Sequence, residues 1–136
     1  MLRTLIVDDE PLCRKSLSAL MAGFGTCDAV ASGKDALAAF EAAITAGQPY
    51  GLICLDIFMP DMDGHRTLAE LRLRESTMGI RGGARAKVFM TTSSADPKDI
   101  SSALRGECDA YLVKPIFRDR MTANLTELGL LSTEHA

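Results

Sequence analysis

Five short apolar runs, each closed by polar or turn residues, constrain this chain more than any other feature of it. Thr4-Leu5-Ile6-Val7 stops at Asp8-Asp9, and Leu52-Ile53-Cys54-Leu55 stops at Asp56. Val88-Phe89-Met90 runs into Thr91-Thr92-Ser93-Ser94, and Ala110-Tyr111-Leu112-Val113 is closed by Lys114-Pro115. Cys27 to Ala31 is a weaker run of the same kind. Short continuous runs bounded by turn signals are expected of strands covered on both faces.

Between the runs the spacing becomes helical. Pro11 stands where a helix can start without wasting an N–H, and Leu17, Leu20, Met21 and Phe24 follow at one-face intervals. Gly23 and Gly25 read as its stop signals. Ser32 is a candidate N-cap for a helix carrying Leu37, Phe40 and Ile44. A third helix is expected from about Asp63 to Arg74 with Leu68 and Leu71 inward, before a glycine-bearing flexible loop from Glu75 to Ala86. Asp96-Pro97 opens a fourth through Ile100, Ala103 and Leu104, and Phe117, Met121, Leu125 and Leu128 stripe a fifth. Strand-helix alternation without an internal repeat predicts one α/β domain, a doubly wound parallel sheet of five strands with five helices, over residues 1–129 with a polar tail at 130–136.

Composition narrows the function classes. A net charge of −3 gives no footing for nucleic acid or an anionic membrane as a direct partner. No apolar run approaches the roughly 18 residues of a membrane span, and the N-terminus lacks a signal-peptide pattern, so a cytoplasmic location is expected. Cys13, Cys27, Cys54 and Cys108 form no C-x-x-C pair and read as small buried hydrophobes rather than a metal or redox site.

In a parallel sheet, ligands collect at the carboxyl ends of the strands. Asp8 and Asp9, Asp56, Thr92 and Lys114 all end predicted strands, so the topology can bring them to one edge. Three carboxylates there repel one another, and one lysine cannot offset them. Mg2+ suits the all-oxygen donor set and keeps coordination positions open for a phosphoryl oxygen. Asp56, ending the most apolar strand, is the candidate nucleophile for an acyl phosphate, with Asp8 and Asp9 holding the metal. Lys114 and the Thr92 hydroxyl are placed to meet phosphoryl oxygens.

These residues resemble a known family, the receiver domains of two-component response regulators. The matching pieces are Val7-Asp8-Asp9-Glu10, Asp56-Ile57-Phe58-Met59-Pro60 with Asp63-Gly64, Thr92-Ser93 and Tyr111-Leu112-Val113-Lys114-Pro115. The resemblance implies a flavodoxin-like sheet of order 2-1-3-4-5. It implies that Asp56 is the phosphoacceptor and that Asp8, Asp9 and the Phe58 carbonyl join it around Mg2+. It further implies a cis Lys114-Pro115 bond and a switch pair of Thr92 and Tyr111. The implied donor is a phosphohistidine on a sensor histidine kinase or a histidine phosphotransfer protein. Such a chain catalyses only its own phosphorylation and dephosphorylation, and with no output domain after the last helix it is expected to stand alone and act through a downstream protein target.

The chain departs from the family pattern in two places. Phe58 is bulky and apolar where a polar residue is common, and the 75–86 loop looks several residues longer than usual. Arg72, Arg74, Arg81, Arg85 and Lys87 gather around that loop, as an ordinary solvated loop would allow or an acidic partner would require. The alternative function is a phosphorylation-independent docking module on a degenerate receiver fold. A phosphatase with an aspartate nucleophile would want a second acid at the position of Phe58, and a flavodoxin-like cofactor site would want Ser, Thr and Gly where Asp8-Asp9-Glu10-Pro11 stands.

Overall fold

The computed structural model describes residues 2–93, 98 and 108–131. Strands β1 (Leu2–Val7), β2 (Gly25–Val30), β3 (Leu52–Asp56), β4 (Lys87–Thr92) and β5 (Ala110–Val113) form one parallel sheet of order β2-β1-β3-β4-β5. Among the described residues the helices are α1 (Pro11–Met21), α2 (Gly33–Thr45), α3 (Gly64–Thr77) and α4 (Arg118–Glu127). The helix expected from Asp96-Pro97 through Leu104 lies outside the described residues except at Lys98, which is helical.

Strand β3 shows how the sheet divides the core. All five of its residues are buried, and the four before Asp56 alternate between two clusters. Ile53 and Leu55 join Leu37 and Phe40 of α2 and Leu68 and Leu71 of α3, whereas Leu52 and Cys54 join Leu17 and Met21 of α1 and Met121 and Leu125 of α4. That period-2 alternation into two apolar layers is why the run carries no polar residue before Asp56.

Several expectations are met at the level of single side chains. Ser32 caps α2, its hydroxyl accepting from the Asp35 N–H at 3.1 Å, and Asp63 caps α3 by accepting from the Arg66 N–H at 2.9 Å. The Lys114-Pro115 peptide is cis.

Others need correction. Helix α3 runs to Thr77, because Arg72 and Glu75 in its last turns are buried and paired and carry the helix past Arg74. The loop therefore starts later than Glu75. Gly25 is not a helix stop: it opens β2, where a Cβ would stand 2.0 Å from the Leu2 carbonyl oxygen. Phe117 is 65% exposed rather than part of a buried stripe, since it is the N-cap of α4 and precedes its helical register. Of the four cysteines Cys54 alone is buried; the other three are half-buried, and all four are free thiols.

Candidate functional site

The register of the sheet gathers the predicted residues at its carboxyl edge. β1 ends beside β3, so Asp8 and Asp9 follow Val7, which pairs with Leu55, the residue before Asp56. One carboxylate oxygen from each of Asp8, Asp9 and Asp56 lies within 4.8 Å of the others. β5 ends beside β4, and the Lys114 N–H donates to the Thr92 carbonyl at 2.7 Å. Its ammonium then reaches across to Asp8 Oδ2 at 2.6 Å and Asp56 Oδ2 at 3.6 Å.

Each carboxylate has a distinct environment. Asp8 is 1% exposed, and its Oδ1 accepts the Glu10 N–H at 2.9 Å while the Arg14 guanidinium binds its backbone carbonyl at 2.9 Å. No side chain caps α1, so the acidic pair faces the sheet edge instead of serving that helix. Asp9 is exposed, forming the solvent side of the cluster. Asp56 is buried, and burial is the main reason its carboxyl rises from 3.8 to about 6. Lys114 pulls it down, Asp8 and Asp9 push it up, and the Phe58 backbone N–H pulls it down again. For Lys114, burial alone would lower the ammonium, but the Asp8 hydrogen bond and the Asp56 and Asp8 charges reverse that and hold it above its ordinary value.

Excess negative charge on convergent oxygens, with one ammonium in reach, is the electrostatic signature of a site for a hard divalent cation. The residues fit Mg2+: the donors are all oxygen, and no thiolate or imidazole belongs to the cluster.

The remaining predicted residues frame the cluster. Thr92 is fully buried at the end of β4. Tyr111 pairs with Met90, two residues before Thr92, and packs half-buried against the α2–α3 side of the core, so Thr92 and Tyr111 are diagonal neighbours on one sheet face. Phe58 is 57% exposed in the loop after Asp56.

The structure adds a role for Gly64 that spacing alone did not show. Its N–H donates to the Ile57 carbonyl at 2.7 Å, and a Cβ would lie 2.4 Å from the Asp56 carbonyl oxygen. The start of α3 therefore presses against the backbone that carries the candidate nucleophile. The glycine following the Asp63 cap was the available signal.

The geometry agrees with the family comparison. The response regulator receiver domain model matches residues 4–126. The chain belongs to this family. Among curated relatives, the receiver domain is 28% identical over 131 residues to the two-component response regulator ORR41 of Oryza sativa subsp. japonica, covering 96% of both chains. It is 31% identical over 128 residues to the hybrid signal transduction histidine kinase L of Dictyostelium discoideum, covering 93% of this chain but 7% of that much longer protein. In fold it is similar to the receiver domain of the histidine kinase CKI1 from Arabidopsis thaliana, a structure complexed with Mg2+ and BeF3−, with a TM-score of 0.80 at 23% identity over 96% of this chain and 91% of that one. Among the described residues no helix is long and apolar enough to cross a membrane.

Proposed function

We propose that this receiver domain takes a phosphoryl group from a phosphohistidine donor onto Asp56, with Mg2+, and thereby switches a surface read by a downstream protein. The observation that carries the reading is the convergence of Asp8, Asp9, Asp56 and Lys114 at one sheet edge. A carboxylate oxygen of Asp56 attacks phosphorus, the new O–P bond forms as the P–N bond breaks, and the electron pair of that bond leaves with the imidazole. The histidine donor is regenerated and Asp56 becomes an acyl phosphate.

The chain's own residues position and neutralise. Lys114, already poised between Asp8 and Asp56, offers a point charge to a phosphoryl oxygen, and the Thr92 hydroxyl offers a hydrogen bond to another. Mg2+, held by the carboxylates of Asp8, Asp9 and Asp56 and the Phe58 carbonyl, supplies positive charge for the phosphoryl oxygens when bound. Movement of Thr92 toward the phosphoryl group leaves room beneath Tyr111, whose half-buried ring is the natural reporter of the switch. The protein modifies itself once per cycle and turns over no external substrate beyond its donor, so it is a signalling protein and not an enzyme in the ordinary sense. Its donor would be a sensor histidine kinase or a histidine phosphotransfer protein of the cytoplasm, as the likeness to a hybrid histidine kinase supports.

The test uses phosphoramidate, whose P–N bond mimics phosphohistidine. Intact-mass measurement is expected to show one added phosphoryl group with Mg2+ and none in chelator. Addition in chelator equal to that with Mg2+, or none under either condition in a folded protein, would overturn the proposal.

A further inference from the structure

The five cations around the α3–β4 connection divide into two sets once their partners are known. Arg72 is buried and binds Glu75, Asp109 and the Ala86 carbonyl, and Arg74 pairs with Glu41. Among the described residues the side chains of Arg81, Arg85 and Lys87 make no ion pair. No acidic residue occurs between Glu75 and Asp96, in a chain whose net charge is −3. The acidic cluster of Asp8, Asp9 and Asp56 lies at the other, carboxyl end of the strands.

The same connection contributes Ile80, Ala84, Ala86 and the buried Glu75, already paired with Arg72, to a notch of about 200 Å3 that Phe40, Ile44, Pro49 and Tyr50 also line. Arg81 follows one lining residue, and Arg85 follows another. The volume is below the roughly 300 Å3 at which small-molecule sites begin, and suits a single apolar side chain.

The loop wall of the notch is held in place. The Ile80 N–H donates to the Glu75 carbonyl at 2.8 Å, and the Ala86 N–H donates to the Glu75 carboxylate at 2.8 Å, so the same buried residue ties both ends. A short 3-10 turn over Gly82–Ala84 closes the span between them. A preformed wall avoids much of the ordering that a loose loop would need on binding.

We propose that this pole is a docking site for an acidic protein segment that places one large apolar side chain in the notch and its carboxylates against Arg81 and Arg85. Charge complementarity selects the partner: a chiefly apolar notch on a connection that carries Arg81, Arg85 and Lys87, with its one acid already paired to Arg72, repels basic segments and holds acidic ones. The site lies away from Asp56, so this contact is independent of phosphoryl transfer.

The test follows fluorescence anisotropy of a labelled synthetic peptide with one phenylalanine flanked by aspartates and glutamates. Two control peptides replace the phenylalanine with serine or the acids with lysines. Binding of the acidic aromatic peptide is expected, weakened at least about tenfold by R81E/R85E and by the notch-filling A84W, and unchanged in D56N. Raising salt from about 50 to about 500 mM should weaken it further. No binding of the acidic aromatic peptide, equal binding of either control, or binding indifferent to both variants would overturn the proposal. Arg81 and Ala84 are exposed and Arg85 is half-buried, and circular dichroism establishes that the variants are folded.

Discussion

Replacing Asp56 with asparagine should make the metal-free protein more stable near neutral pH. The carboxyl rises from 3.8 to about 6, chiefly by burial, and Asp8 and Asp9 add to the rise. A folded-state value above the unfolded one means the native protein holds a proton that the unfolded chain has released, so stability falls as pH rises through that interval. The penalty is absent below the ordinary carboxylate range and fully present above about 6. At about 1.36 kcal/mol per pH unit the ceiling is about 3 kcal/mol. Asp9 opens the cluster to water, and screening there brings the expected gain to about 1–2 kcal/mol. Asparagine keeps the shape, and Lys114 keeps its 2.6 Å contact with Asp8, so little else is lost. Urea unfolding in chelator should therefore show Asp56→Asn more stable than wild type at about pH 7, with the gap closing by about pH 4. Mg2+ should narrow the gap at neutral pH by binding the folded wild type. A variant no more stable at neutral pH, or a gap equally large at both, would show that the buried Asp56 carboxylate does not destabilise the fold.

Three further outcomes follow from particular contacts. Gly64→Ala puts a Cβ 2.4 Å from the Asp56 carbonyl oxygen, and urea unfolding should register a loss of about 1–3 kcal/mol together with slower phosphorylation. Glu75→Ala removes a buried partner of Arg72 and the acceptor for the Ala86 N–H, which should lower stability by about 3 kcal/mol in the same assay while leaving Mg2+ affinity at the distant site unchanged. Asp9→Asn, at an exposed position, should leave the urea midpoint near wild type but weaken Mg2+ binding by at least about tenfold in isothermal titration.

The order of elements and the site were legible because both rest on local patterns that tertiary structure reinforces. The run Leu52 to Leu55 is buried on two sides, so it can tolerate no polar residue, and the next position is free to carry Asp56. Asp8, Asp9, Thr92 and Lys114 were legible for the same reason, as polar residues where apolar runs end. What escaped was set by long-range partners. The last turns of α3 hold Arg72 and Glu75, which look like surface charges in sequence and are buried only because the segment leading into β4 supplies the Ala86 backbone and Asp109 lies close by. Phe117 fits the helical spacing of Met121 and Leu125, yet capping geometry turns it outward. Gly64 could be seen as a loop glycine, but its contact with the Asp56 backbone exists only once α3 docks.

Reductive mapping shows whether Asp56 forms an acyl phosphate. The protein is phosphorylated with phosphoramidate and Mg2+, reduced with borohydride to convert the acyl phosphate to homoserine, digested, and sequenced by mass spectrometry. Homoserine is expected at position 56 alone, and none when Mg2+ is withheld. Homoserine at Asp8, Asp9 or another carboxylate, with Asp56 unmodified, would contradict it.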